Sequence, residues 1–417
     1  MSSFVVTGGK SLSGSVRISG AKNALLPILA ATVLSGGVSE IQNCPRISDV
    51  FLTVEILKDI GCRVSFTDDV ITVDSSNMHK TSLKPEFVKK MRGSVIFLGA
   101  LAGRFGEASL PYPGGCEIGS RPIDFHIDAI KKMGGEISED EGMIYCRTKG
   151  LKGAEISLKY PSVGATENIM LAAVLAKGET VIKNAAREPE ICCLAEFINS
   201  MGGKVSGCGG SKIIIEGVES LRGTGFCIMP DRIEAGTFMA ASAITGGDIF
   251  LESASFFPLK AVGEAMSESG VYISKYENGL RVLGSKLIKP VKEIKTLPYP
   301  GFPTDMQPQI MSLLTLARGT SIIIETVFES RYSHVAELGK MGANIGINGE
   351  KAVISGVNSL KGADLFPKDL RSGAALILAG LAAEGRTNVH NGEYILRGYE
   401  HIEKKLSSIG ADIYFSE

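Results

Sequence analysis

The residues of this sequence that could carry chemistry recur at matching places along the chain. Cys116 lies in the stretch Leu110-Pro-Tyr-Pro-Gly-Gly-Cys116-Glu-Ile-Gly-Ser-Arg121, whose glycines permit motion and whose cysteine has no neighbours typical of a core. Five arginines precede a recurring glycine by similar intervals: Arg46 by 15 residues, Arg121 by 13, Arg187 by 15, Arg331 by 11 and Arg397 by 13. A third group opens strongly apolar stretches: Lys22-Asn23, Arg92, Thr166-Glu167, Asp231-Arg232, Asp305, and Asp369 with Arg371. The helix dipole disfavours cations near a helix start, so helix preference does not explain the arginines. Together they suit anions gathered where backbone N–H groups already point outward. Guanidinium groups, a lysine, a loop thiol and a carboxylate fit a polyanionic small substrate and proton transfer. The plainer alternatives are an incidental loop thiol, arginines solvated or paired with Asp49, Asp124 or Glu188, and Asp305 and Asp369 acting as N-caps.

The elements that must position these residues come in a repeat. Its phrase reads ILKDIGCRVSF, IKKMGGEIS, INSMGGKVS, MSESGVYIS, LGKMGANIG and LSSIGADIY, with marker glycines Gly61, Gly134, Gly202, Gly270, Gly342 and Gly410. Spacings of 73, 68, 68, 72 and 68 residues define six copies of one supersecondary unit. Apolar residues at helical spacing, such as Val50, Val54, Leu57 and Ile60, run up to a glycine suited to a helix C-terminus. Alternating strands are expected at Met143 to Arg147, Lys212 to Glu216 and Glu179 to Lys183, and apolar helices at Ser162 to Ala176 and Thr304 to Ala317. The result is an α/β class with β-α-β crossovers. The last copy ends after one strand, Ala411 to Phe415, so it should pair with the opening strand Phe4 to Thr7. Three copies each would make two domains, residues 22–229 and residues 1–21 plus 230–417, with a cleft between them as the place for a ligand. From Gly106 to Gly134 the second copy spends 28 residues where the others use about 23 to 25, and the surplus falls in the Cys116 stretch. A lengthened loop in one repeat is a functional candidate.

Composition excludes other classes. Lys and Arg (44) nearly cancel Asp and Glu (45), leaving a net charge of −1, which argues against nucleic-acid binding. Hydrophobic residues at 44% and charged residues at 21% are ordinary for a folded chain. No apolar run reaches the ~20 residues a membrane span needs, and the opening Met1-Ser2-Ser3-Phe4 lacks the features of a signal peptide. A cytoplasmic protein is expected. Eight cysteines without a C-x-x-C pair and five scattered histidines indicate neither a zinc site nor a disulfide framework.

Ordered motifs then carry a resemblance. They are S-G-A-K-N-A around Lys22, P-G-G-C at Cys116, I-G-S-R-P-I-D at Ile118 to Asp124, S-V-G-A-T at Ser162 to Thr166 and A-A-R-E-P-E-I at Ala185 to Ile191. P-D-R-I-E-A-G-T from Pro230, F-P-T-D-M-Q from Phe302, E-T-V-F-E from Glu325 and R-G-Y-E from Arg397 complete the set. Over its full length the chain resembles the UDP-N-acetylglucosamine 1-carboxyvinyltransferases. The resemblance implies the two-domain enolpyruvyl transferase fold, an inside-out α/β barrel in each three-repeat domain. It implies transfer of the enolpyruvyl group of phosphoenolpyruvate to the 3′-hydroxyl of UDP-N-acetylglucosamine, with release of phosphate, in peptidoglycan synthesis. Lys22, Arg121 and Arg397, with Asn23 nearby, would hold phosphoenolpyruvate. Cys116 would give a proton to its methylene carbon, and Asp305 would accept or orient the sugar hydroxyl. Arg92, the run Arg121, Pro122, Ile123, Asp124 and Phe125, and the backbone at Val327 would contact the UDP-sugar. Arg331, Asp369 and Arg371 take supporting places. No metal, other cofactor, nucleic acid or membrane is implied, and a monomer is expected. Two positions depart from many relatives: Tyr160 replaces a lysine and Leu396 an aspartate. A sister transferase acting on shikimate 3-phosphate is disfavoured by the loop cysteine, a silent sugar-binding paralogue by Lys22, Cys116, Asp305 and Arg397, and a protein scaffold by charges confined to helix starts.

Overall fold

The structure, a computed structural model, describes residues 2–114 and 123–417; Cys116, Arg121 and Pro122 lie outside the described residues. The chain divides into two compact units, one of residues 20–114 and 123–229, the other of residues 2–19 and 230–417. Each has its own apolar core.

Within each unit the same sheet is built three times. In one copy Glu155–Ser157 runs parallel to Glu179–Lys183, which pairs antiparallel with Lys212–Glu216, itself antiparallel to Lys204–Ser206. That order recurs as Gly225–Cys227, Val38–Gln42, Val70–Asp74 and Arg63–Thr67. It recurs again as Glu107–Pro111, Met143–Arg147 and Glu136–Asp140, where the parallel strand shrinks to the single bridge Ser82–Ser109. The other unit repeats it around Asp248–Glu252, Thr320–Ile324 and Arg386–His390. In the last of these sheets the hairpin is made from opposite ends of the chain. Ser3–Thr7 pairs antiparallel with Asp412–Ser416, from Ser3 opposite Ser416 to Thr7 opposite Asp412, as the sequence predicts.

Leading into each of Val38–Gln42, Glu107–Pro111, Glu179–Lys183, Asp248–Glu252, Thr320–Ile324 and Arg386–His390 is a helix that is apolar over most of its surface, and such a helix must be buried nearly all round. Val163–Ala173 packs on Phe97–Phe105, while Gln307–Leu314, Leu370–Ala382 and Arg232–Thr245 pack together in the other unit. Small residues allow that closeness: a β-carbon on Gly99 would lie 2.2 Å from the carbonyl oxygen of Asn168. The second helix of each copy lies outside and ends at the marker glycine. All six marker glycines are left-handed, at φ of 103, 89, 99, 96, 91 and 101° in chain order, which is the conformation glycine adopts without steric cost.

One expected helix differs. Thr304 to Ala317 is a 3₁₀ turn, Thr304–Met306, followed by an α-helix, Gln307–Leu314. Pro308 has no N–H to give and sits in the first helical turn, where none is needed. The turn places Asp305 ahead of the helix.

Gly99→Ala should therefore lower stability by ~1–3 kcal/mol, since the added methyl meets backbone. Gly339→Ala, in the helix Val335–Lys340 with open space around its β-position, should be neutral or stabilising by up to ~1 kcal/mol. Thermal midpoints of the two variants against the parent test the contrast.

Candidate functional site

In the unit of residues 20–229, Lys22 begins the helix Lys22–Ala31 and is buried. Its Nζ lies 2.5 Å from Asp49 Oδ2, with side chains 9% and 5% exposed. Asp49 sits in the first turn of Ser48–Asp59, so two helix starts are joined by one ion pair. No side chain caps the Lys22 helix, whereas Ser162 caps Val163–Ala173 by accepting from the Ala165 N–H. An uncapped helix start beside a fixed ammonium group offers two kinds of donor to an anion. Asn23 is half-buried on the same turn.

Arg92 begins the 3₁₀ turn Arg92–Ile96 and is half-buried. Burial, then the Arg92 charge, pushes the nearby His126 down to about 4, so its ring is neutral. The Asn168 amide donates to His126 Nδ1 (2.7 Å) and to the Val95 carbonyl (3.1 Å), and its oxygen accepts from the Gly99 N–H. That pattern leaves Nδ1 as the acceptor and the proton on Nε2. Ile123 is buried just before the helix Asp124–Lys132, Asp124 is exposed at its first position, and Phe125 is half-buried. Glu167 is buried, and burial followed by the charges of Glu190 and Glu188 pushes its carboxyl well above the usual range. Tyr160 is 41% exposed.

In the other unit the centre is Asp305. Its Oδ1 accepts from an Arg331 NH2 group at 2.8 Å and its Oδ2 from an Arg371 NH2 group at 3.1 Å. The Arg331 side chain is 2% exposed and also donates to the Thr304 carbonyl through Nε and NH2, at 3.2 and 3.1 Å. Its NH1 lies 3.7 Å from Asp369 Oδ1. Asp369 is itself the N-cap of Leu370–Ala382, accepting from the Arg371 and Ser372 N–H groups in a capping box. Asp305 caps nothing, and its side chain is 28% exposed. The carboxylate is thus held on both oxygens by fixed cations. Arg397 follows the short helix Gly392–Ile395 and is half-buried, and the preceding Leu396 packs against the unit's core. An apolar contact therefore lies just before Arg397.

Glu325 was not singled out by sequence reasoning, although it opens the E-T-V-F-E motif. It is buried, and its Oε1 accepts from Thr296 Oγ1 and from the N–H groups of Val327 and Phe328, at 2.9, 2.9 and 3.1 Å. Its Oε2 accepts from Thr304 Oγ1 at 3.0 Å. One carboxylate thereby ties the Asp305 turn to Val327. The Val327 N–H is thus engaged by Glu325.

Two of the aligned arginines have other work. Arg46 lies over the Phe66 ring at 4.4 Å and the Phe51 ring at 5.4 Å, and donates to the Asp68 carbonyl. Arg187 Nε donates to the Gly209 carbonyl at 3.0 Å. Equal spacing sets where a backbone arrives, and the nearest rings and carbonyls then decide where the side chain goes. The arginine set is accordingly divided: Arg46 and Arg187 join structural contacts, and Arg331 is an internal clamp. Among the described residues no cluster of three or more His, Cys, Asp or Glu could hold a metal ion, and no helix is long and apolar enough to cross a membrane.

Comparison with known proteins gives consistent neighbours. The sequence profile of the EPSP synthase (3-phosphoshikimate 1-carboxyvinyltransferase) family matches residues 6–406. The chain is 49% identical over 413 residues to UDP-N-acetylglucosamine 1-carboxyvinyltransferase 2 of Caldanaerobacter subterraneus subsp. tengcongensis, covering 99% of both chains. It is 49% identical over 415 residues to UDP-N-acetylglucosamine 1-carboxyvinyltransferase 1 of Halalkalibacterium halodurans, covering 99% of this chain and 94% of the other. Among solved structures, the enolpyruvyl transferase NikO from Streptomyces tendae superposes with a TM-score of 0.90 at 25% identity, over 100% of this chain and 99% of the other. EPSP synthase from Acinetobacter baumannii, at 19% identity, shares the fold with a TM-score of 0.78 over the whole of both chains.

The neutral, buried His126 gives a signed pH dependence. Its pKa is ~6.5 in an unfolded chain and about 4 here, so its contribution is full above ~6.5 and is lost as pH falls toward 4. Stability should decline over that window by up to ~1.4 kcal/mol per pH unit from this residue. Urea midpoints at pH 7 and pH 5 should differ less in His126→Gln than in the parent; equal slopes would remove His126 as the cause.

Proposed function

The chain belongs to the EPSP synthase family and, within it, to the UDP-N-acetylglucosamine 1-carboxyvinyltransferases, and from that premise we propose how its residues divide the reaction. It transfers the enolpyruvyl group of phosphoenolpyruvate to the 3′-hydroxyl of UDP-N-acetylglucosamine and releases phosphate. The observation that carries the reading is Asp305, a part-exposed carboxylate fixed on both oxygens by buried guanidinium groups. A group so held can receive one hydroxyl in one orientation.

Lys22, Arg121 and Arg397 take the phosphate and carboxylate of phosphoenolpyruvate. The support for Lys22 is its fixed ammonium at an uncapped helix start. Cys116 delivers a proton to the methylene carbon. A free thiol titrates near ~8.5 and moves toward thiolate beside cations, so bound anions are what return it to the acid form. Protonation leaves an electron-poor carbon that the sugar hydroxyl attacks, with Asp305 setting its direction. Loss of a proton from the methyl group and departure of phosphate then restore the alkene. Arg92, Asp124, Phe125 and the backbone at Val327 meet the UDP-sugar, with Arg121 to Ile123 alongside. Both substrates are charged metabolites of the cytoplasm, which is where we place the protein.

Phosphate release from phosphoenolpyruvate is the direct test. It should require UDP-N-acetylglucosamine and should not occur with shikimate 3-phosphate; the reverse result would keep the fold and change the acceptor. Cys116→Ser should lose nearly all turnover while UDP-sugar binding persists, and full activity in that variant would remove the thiol as proton donor. The epoxide fosfomycin should add to Cys116, read as an intact-mass increase in the presence of UDP-sugar.

A further inference from the structure

The seven cysteines outside the Cys116 loop play no part in this chemistry, and four of them, Cys44, Cys62, Cys146 and Cys193, are buried. Cys192 and Cys208 differ: both are half-exposed. Cys192 is the fourth residue of the helix Pro189–Ser200, and Cys208 lies in the turn joining Lys204–Ser206 to Lys212–Glu216. The neighbouring Cys208 helps hold the Cys192 thiol above its usual range. The Cys192 Sγ stands 3.4 Å from where a β-carbon on Gly209 would lie.

The surroundings hold the pair in register. Arg187 Nε donates to the Gly209 carbonyl at 3.0 Å, and the Ala185 N–H donates to the Ser211 carbonyl at 3.0 Å, so both flanks of the helix entry grip the turn. Gly207 and Gly209 on either side of Cys208 are left-handed, at φ of 79° each. They carry no side chain that would hinder a small movement of the Cys208 sulfur. Cys193, the next residue along the helix, is buried in the unit's core, so the pairing is specified by the helical face.

We propose that Cys192 and Cys208 form a reversible thiol–disulfide site, oxidised by hydrogen peroxide or by a small-molecule disulfide and restored by thiol reductants. With peroxide the step is two thiols plus one H₂O₂ giving one disulfide and two waters. One sulfur, as thiolate, attacks a peroxide oxygen, the O–O bond breaks, and a sulfenic acid and hydroxide form. The other sulfur then displaces the sulfenic oxygen, which leaves as water with a proton from solution. Burial and the neighbouring Cys208 push the Cys192 thiol up to about 12, which disfavours it as the thiolate that meets the oxidant. The crosslink would close residues 192–208 and fasten the turn to a helix whose first turn carries Glu190.

The test uses the full chain treated with hydrogen peroxide, alkylated, and digested with trypsin without reduction. Peptides 188–204 and 205–212 should appear joined, two hydrogens lighter than their sum, and should separate on adding dithiothreitol. Fragmentation should place the bond at Cys192, Cys193→Ser should retain the link, and Cys208→Ser should abolish it. The oxidised protein should also melt at a higher temperature than the reduced one. A link through Cys193 or Cys227 would overturn the proposal, as would oxidation of Cys208 to sulfinic acid with no linked peptide.

Discussion

Arg331 cannot lie where it does unless carboxylates lie with it. A guanidinium group with 2% of its side chain exposed has given up its water, at a cost of several kcal/mol. Asp305, Asp369 and the Thr304 carbonyl replace that water. Removing one partner of such a buried pair typically costs ~3–5 kcal/mol, while well-packed apolar residues in place of both are often no less stable. Stability alone therefore gives no reason for the cluster. What the cluster does is immobilise Asp305 while its side chain stays 28% exposed. Glu325 extends the same constraint by fastening Thr304 to the Val327 and Phe328 backbone.

The architecture explains why chemistry gathers where it does. Each internal helix is packed over most of its surface, so polar groups within its length need partners of their own, as Asn168 has, while its ends can carry polar groups more freely. The starts of these helices hold Lys22, Ser162, Asp231 and Asp369, and the turns leading into two others begin with Arg92 and hold Asp305. The same position occurs six times, and it does not hold one job throughout. Ser162, Asp231 and Asp369 close their helices with side-chain caps. Lys22 leaves its helix uncapped and is steadied by Asp49.

Much of this was legible in the sequence because the signals are local. A glycine ending each outer helix must accept a left-handed backbone, and all six do. Strands such as Met143–Arg147 and Lys212–Glu216 alternate buried and exposed residues, so their period showed in composition and their limits are as expected. The pairing of the chain's two ends followed from a copy that lacked one strand. Side-chain destinations were not legible. Arg46 and Arg331 occupy comparable places before a marker glycine, yet one stacks on Phe66 and the other is sealed among carboxylates. The deciding residues, Phe51 and Phe66 in one case and Asp305 and Asp369 in the other, come from different copies or different strands. Glu325 escaped notice for the same reason, since its four hydrogen bonds converge from three separate segments. The nearness of Cys192 to Cys208 likewise exists only once a helix has been laid against a hairpin.

The clamp on Asp305 also bears on the order of chemical events. A general base must take up a proton, and on either oxygen of Asp305 that proton would weaken the ion pair to Arg331 or to Arg371. Both arginines are buried, and although Arg331 also meets Asp369 and the Thr304 carbonyl, each would lose its direct ion pair with Asp305. An unassisted sugar hydroxyl is too weak an acid to make that exchange favourable. It becomes a strong acid only once its oxygen has begun to bond to an electron-poor carbon. Within the proposed reaction Asp305 is consequently suited to hold the hydroxyl in line from the outset and to receive its proton late. In the proposed reaction the acid that makes the carbon electron-poor must therefore act first, so the timing would rest with the Cys116 thiol and the direction with the carboxylate.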